Sequence, residues 1–241
     1  MVDKTDAIVL HQIKYTDSGI IVQVYSKKFG RDSILVHGLR KKKSGRQNVF
    51  FQPLSVLDVV LNYRDPERMK TLKEFSVSYT PTNIYNNVAK SCIALFIGEV
   101  LTMVLREENQ NDELFDFIRN SIIYFDKRDE SFSNFHIAFL IGLCSYLGFE
   151  PGKRKNEENR IFDMVNGKFA SLPPSHGNYA DIEISDILAG FFGSSWDDMN
   201  KIPLTGSKRN DVLLSVLKYY SVHIPSLGKI NSLEVLKEVF A

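Results

Sequence analysis

The sequence predicts an α+β protein, with a small five-stranded β-barrel first and an α-helical bundle carrying an irregular insertion after it. Apolar residues recur with a period near two from Asp6 to about Tyr79, and three or four apart from Asn83 onward, with Pro81 at the change of regime. Charge divides at the same place. Residues 1–80 carry 14 Lys/Arg against 8 Asp/Glu, an excess of +6, whereas 81–241 carry 16 against 21, so the overall +1 conceals a basic front end. We therefore expect a barrel domain over 1–80 and a helical domain over 81–241, with the insertion at 149–183.

The barrel strands follow from alternation and turn chemistry. Ala7-Ile8-Val9-Leu10 opens the first strand, and Ile20, Val22 and Val24 alternate in the second. Lys27-Lys28-Phe29-Gly30 is a turn in which glycine permits positive φ, and Ser33 to His37 is the third strand. Leu54 to Asn62 makes the fourth, Arg64-Asp65-Pro66-Glu67 turns the chain, and Met69 to Val77 makes the fifth. Five strands in this length fit an OB-fold barrel, with an SH3-like barrel as the rival.

Between the third and fourth strands lies Gly38-Leu39-Arg40-Lys41-Lys42-Lys43-Ser44-Gly45-Arg46, in which five of nine residues are cationic. Such a run is either a solvated surface turn or a loop that meets a polyanion. Lys27, Lys28 and Arg31 could extend it into a phosphate-binding track with Arg40, Lys41, Lys42, Lys43 and Arg46. Tyr25, Phe29, Phe50 and Phe51 flank these cations and could stack on bases or fill the core.

After Pro81, Ile84, Val88, Cys92, Leu95, Phe96, Val100, Met103 and Val104 predict one long central helix from Asn83. Asp112 is the expected N-cap of a second helix, and Ser133 starts a third that stops at Gly148. The insertion contains a possible hairpin at 161–169 turning at Asn166-Gly167. Helical spacing returns at 186–192, 210–223 and 232–240.

Several function classes lose their usual marks. There is no phosphate-binding Gly-Lys-Ser/Thr loop, dinucleotide fingerprint, His-Glu-x-x-His or nucleophile elbow. Two cysteines, Cys92 and Cys144, fall in apolar helical patterns and read as buried small hydrophobes. The Asp197-Asp198 pair follows Ser194-Ser195-Trp196 and is read as helix capping ahead of metal binding. The five histidines are scattered, and we assign no catalytic residue, metal or cofactor. The longest apolar run, Ile93 to Leu105, contains Glu99 and falls short of a span, and Asp3, Lys4 and Asp6 interrupt any secretory segment, so we expect a soluble intracellular protein.

Four groups of residues carry a resemblance. They are Ala7-Ile8-Val9-Leu10 with Tyr15 to Val22; Phe29-Gly30 with His37-Gly38-Leu39-Arg40 and Lys43-Ser44; Leu147-Gly148-Phe149-Glu150-Pro151; and a tail of Arg209, Leu213, Tyr219-Tyr220, His223, Ser232-Leu233 and Val235-Leu236. In this order the chain resembles the RecO family of bacterial recombination mediators. The resemblance implies an N-terminal OB-fold, an α-helical domain and a nonenzymatic role in recombinational DNA repair. It further implies binding to single- and double-stranded DNA, annealing of complementary strands, contact with the C-terminal tail of single-strand-binding protein, and RecA loading with RecR. A cytoplasmic, nucleoid-associated location goes with that role. For the partner tail, Arg128, Arg154 and Arg209 are candidate anchors. Many members carry a four-cysteine zinc site after the Leu-Gly-x-x-Pro segment, but Lys153 to Gly177 has no cysteine, so no zinc is carried over. The alternative function is a protein-interaction adaptor whose helical domain binds single-strand-binding protein or another partner while the basic loop is mere surface; an undetected hydrolase is a third.

Overall fold

In the computed structural model, residues 1–16, 19–37, 50–63, 69–105 and 110–240 are described. Strands β1 (Val2–Lys14), β2 (Gly19–Ser26) and β3 (Gly30–His37) form an antiparallel meander. The tight β2–β3 turn needs Gly30 at φ +65° and is tied by the Ser26 hydroxyl, which accepts from Phe29 N at 3.0 Å and donates to the Gly30 carbonyl at 3.2 Å. Strand β4 (Val56–Asn62) returns antiparallel beside β1, and β5 (Lys70–Tyr79) runs antiparallel to β4 and parallel to β3 at Ile34–Lys70 and Leu35–Thr71. The order β1-β2-β3-β5-β4 closes onto β1. This Greek-key closure, with β3 and β5 parallel, is that of an OB-fold barrel and decides against the SH3-like rival.

Alternation puts Ala7, Val9, Val22, Val24, Ile34, Val36, Leu57, Val59 and Leu61 inside, with Phe51 plugging the same core. The fourth strand starts two residues later than its apolar run predicts. Leu54, though buried, stands at φ +70°, held by Leu54 N to the Val9 carbonyl at 2.8 Å, so it completes a turn instead of entering β4. Lys70 is also buried: its ammonium pairs with Asp32 at 2.7 Å and lies over the rings of Phe29 and Tyr63 at 4.8 and 5.6 Å.

The chain divides into two compact units, Met1–Lys127 with Ile230–Leu233, and Arg128–Lys229 with Glu234–Ala241. In the first, the single helix expected from Asn83 is two: α1 (Thr82–Asn86) and α2 (Val88–Val104). Asn87 between them is extended, and its side chain accepts from Lys90 N, so it caps α2; a short polar side chain that competes for backbone donors outweighed the apolar periodicity. α2 lies against β1 where Leu10 forms a bulge, and the close approach requires Gly98: a Cβ there would stand 2.5 Å from the Leu10 carbonyl oxygen. Helix α3 (Asp112–Lys127) starts at the expected place, but the capping side chain is Asn111, which accepts from Leu114 N at 3.0 Å.

Two buried polar links fasten these elements. The Lys90 ammonium donates to the carbonyls of Phe125 and Asp126, both at 3.2 Å, at the C-terminal end of α3 where the helix dipole favours a cation. The Asp126 carboxylate accepts from Ile84 N at 2.9 Å and from the Tyr79 hydroxyl at 2.8 Å, joining α1 and β5 to α3. Glu99 on α2 caps the segment that opens α8 (Ser232–Val239), accepting from Asn231 N and Ser232 N at 2.8 Å each and from the Ser232 hydroxyl at 2.5 Å.

In the second unit, α4 (Phe135–Tyr146) ends as predicted at Gly148, φ +85°. Phe149 N reaches the Cys144 carbonyl at 3.1 Å and Gly148 N the Ser145 carbonyl at 3.4 Å, a Schellman closure. Its start is at Phe135, two residues after Ser133, and Asn134 is spent elsewhere, donating to the Met199 and Ile202 carbonyls at 3.3 and 2.8 Å. The 161–169 hairpin forms as β6 (Ile161–Asp163) and β7 (Lys168–Ala170), and β8 (Tyr179–Ala180) adds a third strand that two residues of pattern could not announce. Asp163 organises this insertion: it accepts from Val165 N at 2.9 Å, Asn166 N at 3.1 Å and the Asn166 amide at 2.7 Å, and it pairs with His176 at 3.1 Å. Burial alone would raise its carboxyl, yet the bonds from Asn166 and Val165 hold it below the ordinary value. Phe162, Phe169, Phe192, Tyr219 and Phe149 pack edge to face or tilted beneath it.

Helices α5 (Ile182–Phe191), α6 (Trp196–Lys201) and α7 (Gly206–His223) complete the unit, capped by the side chains of Asp181, Ser195 and Thr205. The Ser195 hydroxyl accepts from Asp198 N at 3.2 Å, so the Ser-Ser-Trp-Asp-Asp stretch is a helix start, as its sequence indicates. Both cysteines are buried, and burial pushes the Cys144 thiol up to about 12.

Candidate nucleic-acid interface

Arg40, Lys41, Lys42, Lys43 and Arg46 lie outside the described residues. The other three expected phosphate contacts sit at and beside the β2–β3 turn, and each is engaged within the first unit. Lys27 pairs with Asp116 of α3 at 3.1 Å and its ammonium lies 5.8 Å from the Phe115 ring. Lys28 pairs with Asp3, which also accepts from the Tyr63 hydroxyl, and the bonds from Lys28 and then Tyr63 hold the Asp3 carboxyl below its ordinary value. Arg31 donates to the Leu105 carbonyl at 3.4 Å. Lys27 and Lys28 are thus locally neutralised, which the run of charges in the sequence could not disclose because their partners lie 89 and 25 residues away.

This redistributes the basic surplus. Gly38 to Val49 contains five cations and no acid, nearly the whole +6 of residues 1–80, while Lys27, Lys28 and Lys70 are cancelled by Asp116, Asp3 and Asp32.

For the flanking aromatics, packing favours the core alternative. Tyr25 is buried and stacks on Phe115 at 6.3 Å, Phe51 is in the barrel core, and Phe29 is packed against that core beside Tyr63. Phe50 is half-buried against Phe75. The open apolar surface of the barrel is elsewhere. Ile13 on β1 faces Ile21 on β2, and Ile21 faces Leu35 on β3, giving a cross-strand row; Ile13 is 44% exposed and Tyr15, just beyond β1, is 58% exposed. The signal that could have found it is alternation: Ile21 and Leu35 have the parity opposite to the core residues Val22 and Ile34.

The three arginines suggested for a partner tail are likewise committed inside the second unit. Arg128 pairs with Asp197. Arg154 pairs with Asp186 at 2.5 Å, and Arg160 shares that carboxylate, so the two arginines hold Asp186 below its ordinary value, Arg160 more strongly. Arg209 donates to Asn134 Oδ1 at 3.0 Å and to the Leu204 carbonyl at 2.9 Å while its guanidinium lies 5.5 Å from the Phe240 ring. They are spread over different elements and form no common cluster through these contacts. His136 is buried, and desolvation, with the nearby Arg209 charge, lowers it to about 3. Among the described residues no group of three or more His, Cys, Asp or Glu side chains could hold a metal ion, and no helix is long and apolar enough to cross a membrane.

An OB-fold barrel with a cation-rich β3–β4 connection, followed by a mainly helical C-terminal part that carries a small three-stranded sheet, defines the class. Two family models divide the chain in the same way, recombination protein O N terminal over residues 1–80 and recombination protein O C terminal over residues 86–234. The chain belongs to the recombination protein O family. It is 36% identical over 241 residues to the DNA repair protein RecO of Phocaeicola vulgatus, covering 100% of both chains. It is 36% identical over 242 residues to that of Bacteroides fragilis, again covering 100% of both, and 32% identical over 240 residues to that of Flavobacterium psychrophilum, covering 99% of both.

Proposed function

We propose that this protein acts in DNA repair as a nonenzymatic recombination mediator. It binds the backbones of single- and double-stranded DNA, anneals complementary strands, and with RecR helps load RecA on strands covered by single-strand-binding protein, whose C-terminal tail it engages; it works in the cytoplasm at the nucleoid. The observation that carries the reading is full-length membership in a family of DNA repair proteins, on an OB-fold barrel whose sequence concentrates its cationic surplus between β3 and β4. Arg40, Lys41, Lys42, Lys43 and Arg46 supply the phosphate contacts, and Lys27, Lys28 and Arg31 contribute less because Asp116, Asp3 and the Leu105 carbonyl already hold them.

Annealing asks for no reacting side chain. A surface that holds two strands by their phosphates leaves the base edges free, raises the local strand concentration and lets pairing supply specificity. Mixing two complementary labelled oligonucleotides coated with single-strand-binding protein tests this: the protein should speed duplex formation, and neutral replacement of Arg40 to Lys43 and Arg46 should abolish the acceleration. Acceleration that survives the replacement, or none at all, overturns the assignment.

A further inference from the structure

At the junction of the barrel with α1 and α2 lies a cleft of about 300 Å³. Its walls are Gln12 of β1, the Gln52-Pro53 turn, Tyr85 of α1, and Ser91 and Leu95 of α2. No wall residue is charged, so nothing in it would retain a phosphate, a carboxylate or a metal ion. Its polar equipment is of a different sort. Gln12 and Gln52 line it, and their carboxamides make no hydrogen bond among the described residues, so each offers both a donor and an acceptor. The Tyr85 hydroxyl is anchored on the Ser55 hydroxyl at 2.8 Å and the Pro53 carbonyl at 3.1 Å, which fixes its ring as a rigid wall. Ser91 Oγ donates to the Ile84 carbonyl at 2.8 Å and keeps its lone pairs for an incoming donor.

Two features show that the cleft is built into the fold. Its Gln52-Pro53 side is followed by buried Leu54 at φ +70°, a left-handed backbone that swings that turn back against β1. On the opposite side Leu95 is 49% exposed, so the cleft keeps an apolar rim open to solvent. An apolar rim and flat aromatic wall with carboxamides behind fit a planar, uncharged molecule whose edge alternates donors and acceptors. A glutamine carboxamide pairs bidentately with the edge of a base such as adenine.

We propose that this cleft takes one unstacked base of single-stranded DNA, with Gln12 and Gln52 bonding its edge and Pro53, Tyr85 and Leu95 enclosing its faces. The inference rests on the DNA-binding reading above and adds a base-dependent contribution to an otherwise backbone-directed association.

The test uses the full chain and fluorescence anisotropy with two probes of equal length and charge, a mixed-sequence oligodeoxynucleotide and the same strand made wholly of abasic tetrahydrofuran units. The wild type should bind the abasic strand about tenfold more weakly, and Gln12→Leu/Gln52→Leu should shrink that ratio to about twofold by weakening only the base-bearing strand. A melting curve matching that of the parent certifies the variant's fold. An unchanged ratio in the variant, or equal binding of both strands by the wild type, overturns the base site and leaves the backbone reading standing. Failure of the wild type to bind either strand at low salt removes both. A variant that keeps the ratio but loses affinity for a fluorescent peptide with an apolar C-terminus assigns the cleft to protein and overturns the proposal.

Discussion

Replacing Gly98 by Ala sets two effects of opposite sign against each other. In an isolated helix the change would stabilise by about 0.8–1 kcal/mol, because alanine loses less backbone entropy. In this protein the new methyl would sit 2.5 Å from the Leu10 carbonyl oxygen and 3.4 Å from Pro53 Cβ, where ordinary contact begins at 3.4 Å. The obstacle at 2.5 Å is backbone in the β1 bulge, so no side chain can swing aside, and α2 must retreat by roughly 0.9 Å, the difference between 3.4 and 2.5 Å. Overpacking of this kind costs about 1–3 kcal/mol, which exceeds the propensity gain. We expect net destabilisation of up to about 2 kcal/mol, read in urea denaturation, with a fall in Tm of up to about 8 °C. The same retreat would widen the Gln12–Leu95 cleft. A gain in stability of about 1 kcal/mol would show that α2 does not press on β1 at this point, and the packing argument would fail.

Further outcomes follow from groups whose protonation is tied to folding. Glu99→Gln should cost about 1–2 kcal/mol, since a carboxylate accepting several bonds at the start of α8 becomes a neutral amide with one acceptor, and thermal denaturation at neutral pH measures it. Burial pulls Glu99 upward, but the bonds from Ser232 and Asn231 leave it below its ordinary 4.5; its contribution is complete above about 4.5 and disappears as pH falls through the lower folded-state value. The wild-type to Glu99→Gln difference should therefore vanish in acid, and a difference that persists at pH 2 would contradict the capping account. His136 works in another window. Lowered from 6.5 to about 3, it stays neutral in the folded protein while the unfolded chain takes up a proton, so stability should decline as pH drops from about 6.5 toward 3. His136→Phe should flatten that slope; a variant with an unchanged pH profile would remove His136 as its source.

Much of this architecture is legible in the residues because the driving pattern is local. The parity of Val22, Val24, Ile34 and Val36 places four core side chains, Gly30 marks the β2–β3 turn, and Gly148 ends α4 where its freedom at positive φ is required. What escaped depends on partners far along the chain or on single polar side chains. Asn87 breaks an apolar helix that periodicity reads as continuous, and nothing near Leu54 announces its left-handed backbone. Lys27 and Lys28 look like free cations until Asp116 and Asp3 are found beside them, and the sequence leaves Tyr25 and Phe51 open between platform and core until the α3 ring of Phe115 and the barrel core claim them. Aromatic residues beside cations fill cores as readily as they meet bases, and only burial distinguishes the two.

The central claim is that the cation-rich 40–46 segment grips DNA through its phosphates, and the salt dependence of binding tests it most directly. With five cations in 40–46 engaged, the log affinity of the wild type for single-stranded DNA should fall against log salt with a slope of about −3.5. Gln at Arg40, Lys41, Lys42, Lys43 and Arg46 should bring the slope close to zero, while Gln at Lys27 and Lys28 should change it by less than about 1. A loop variant that keeps the wild-type slope would contradict the account, as would a Lys27/Lys28 variant that loses it.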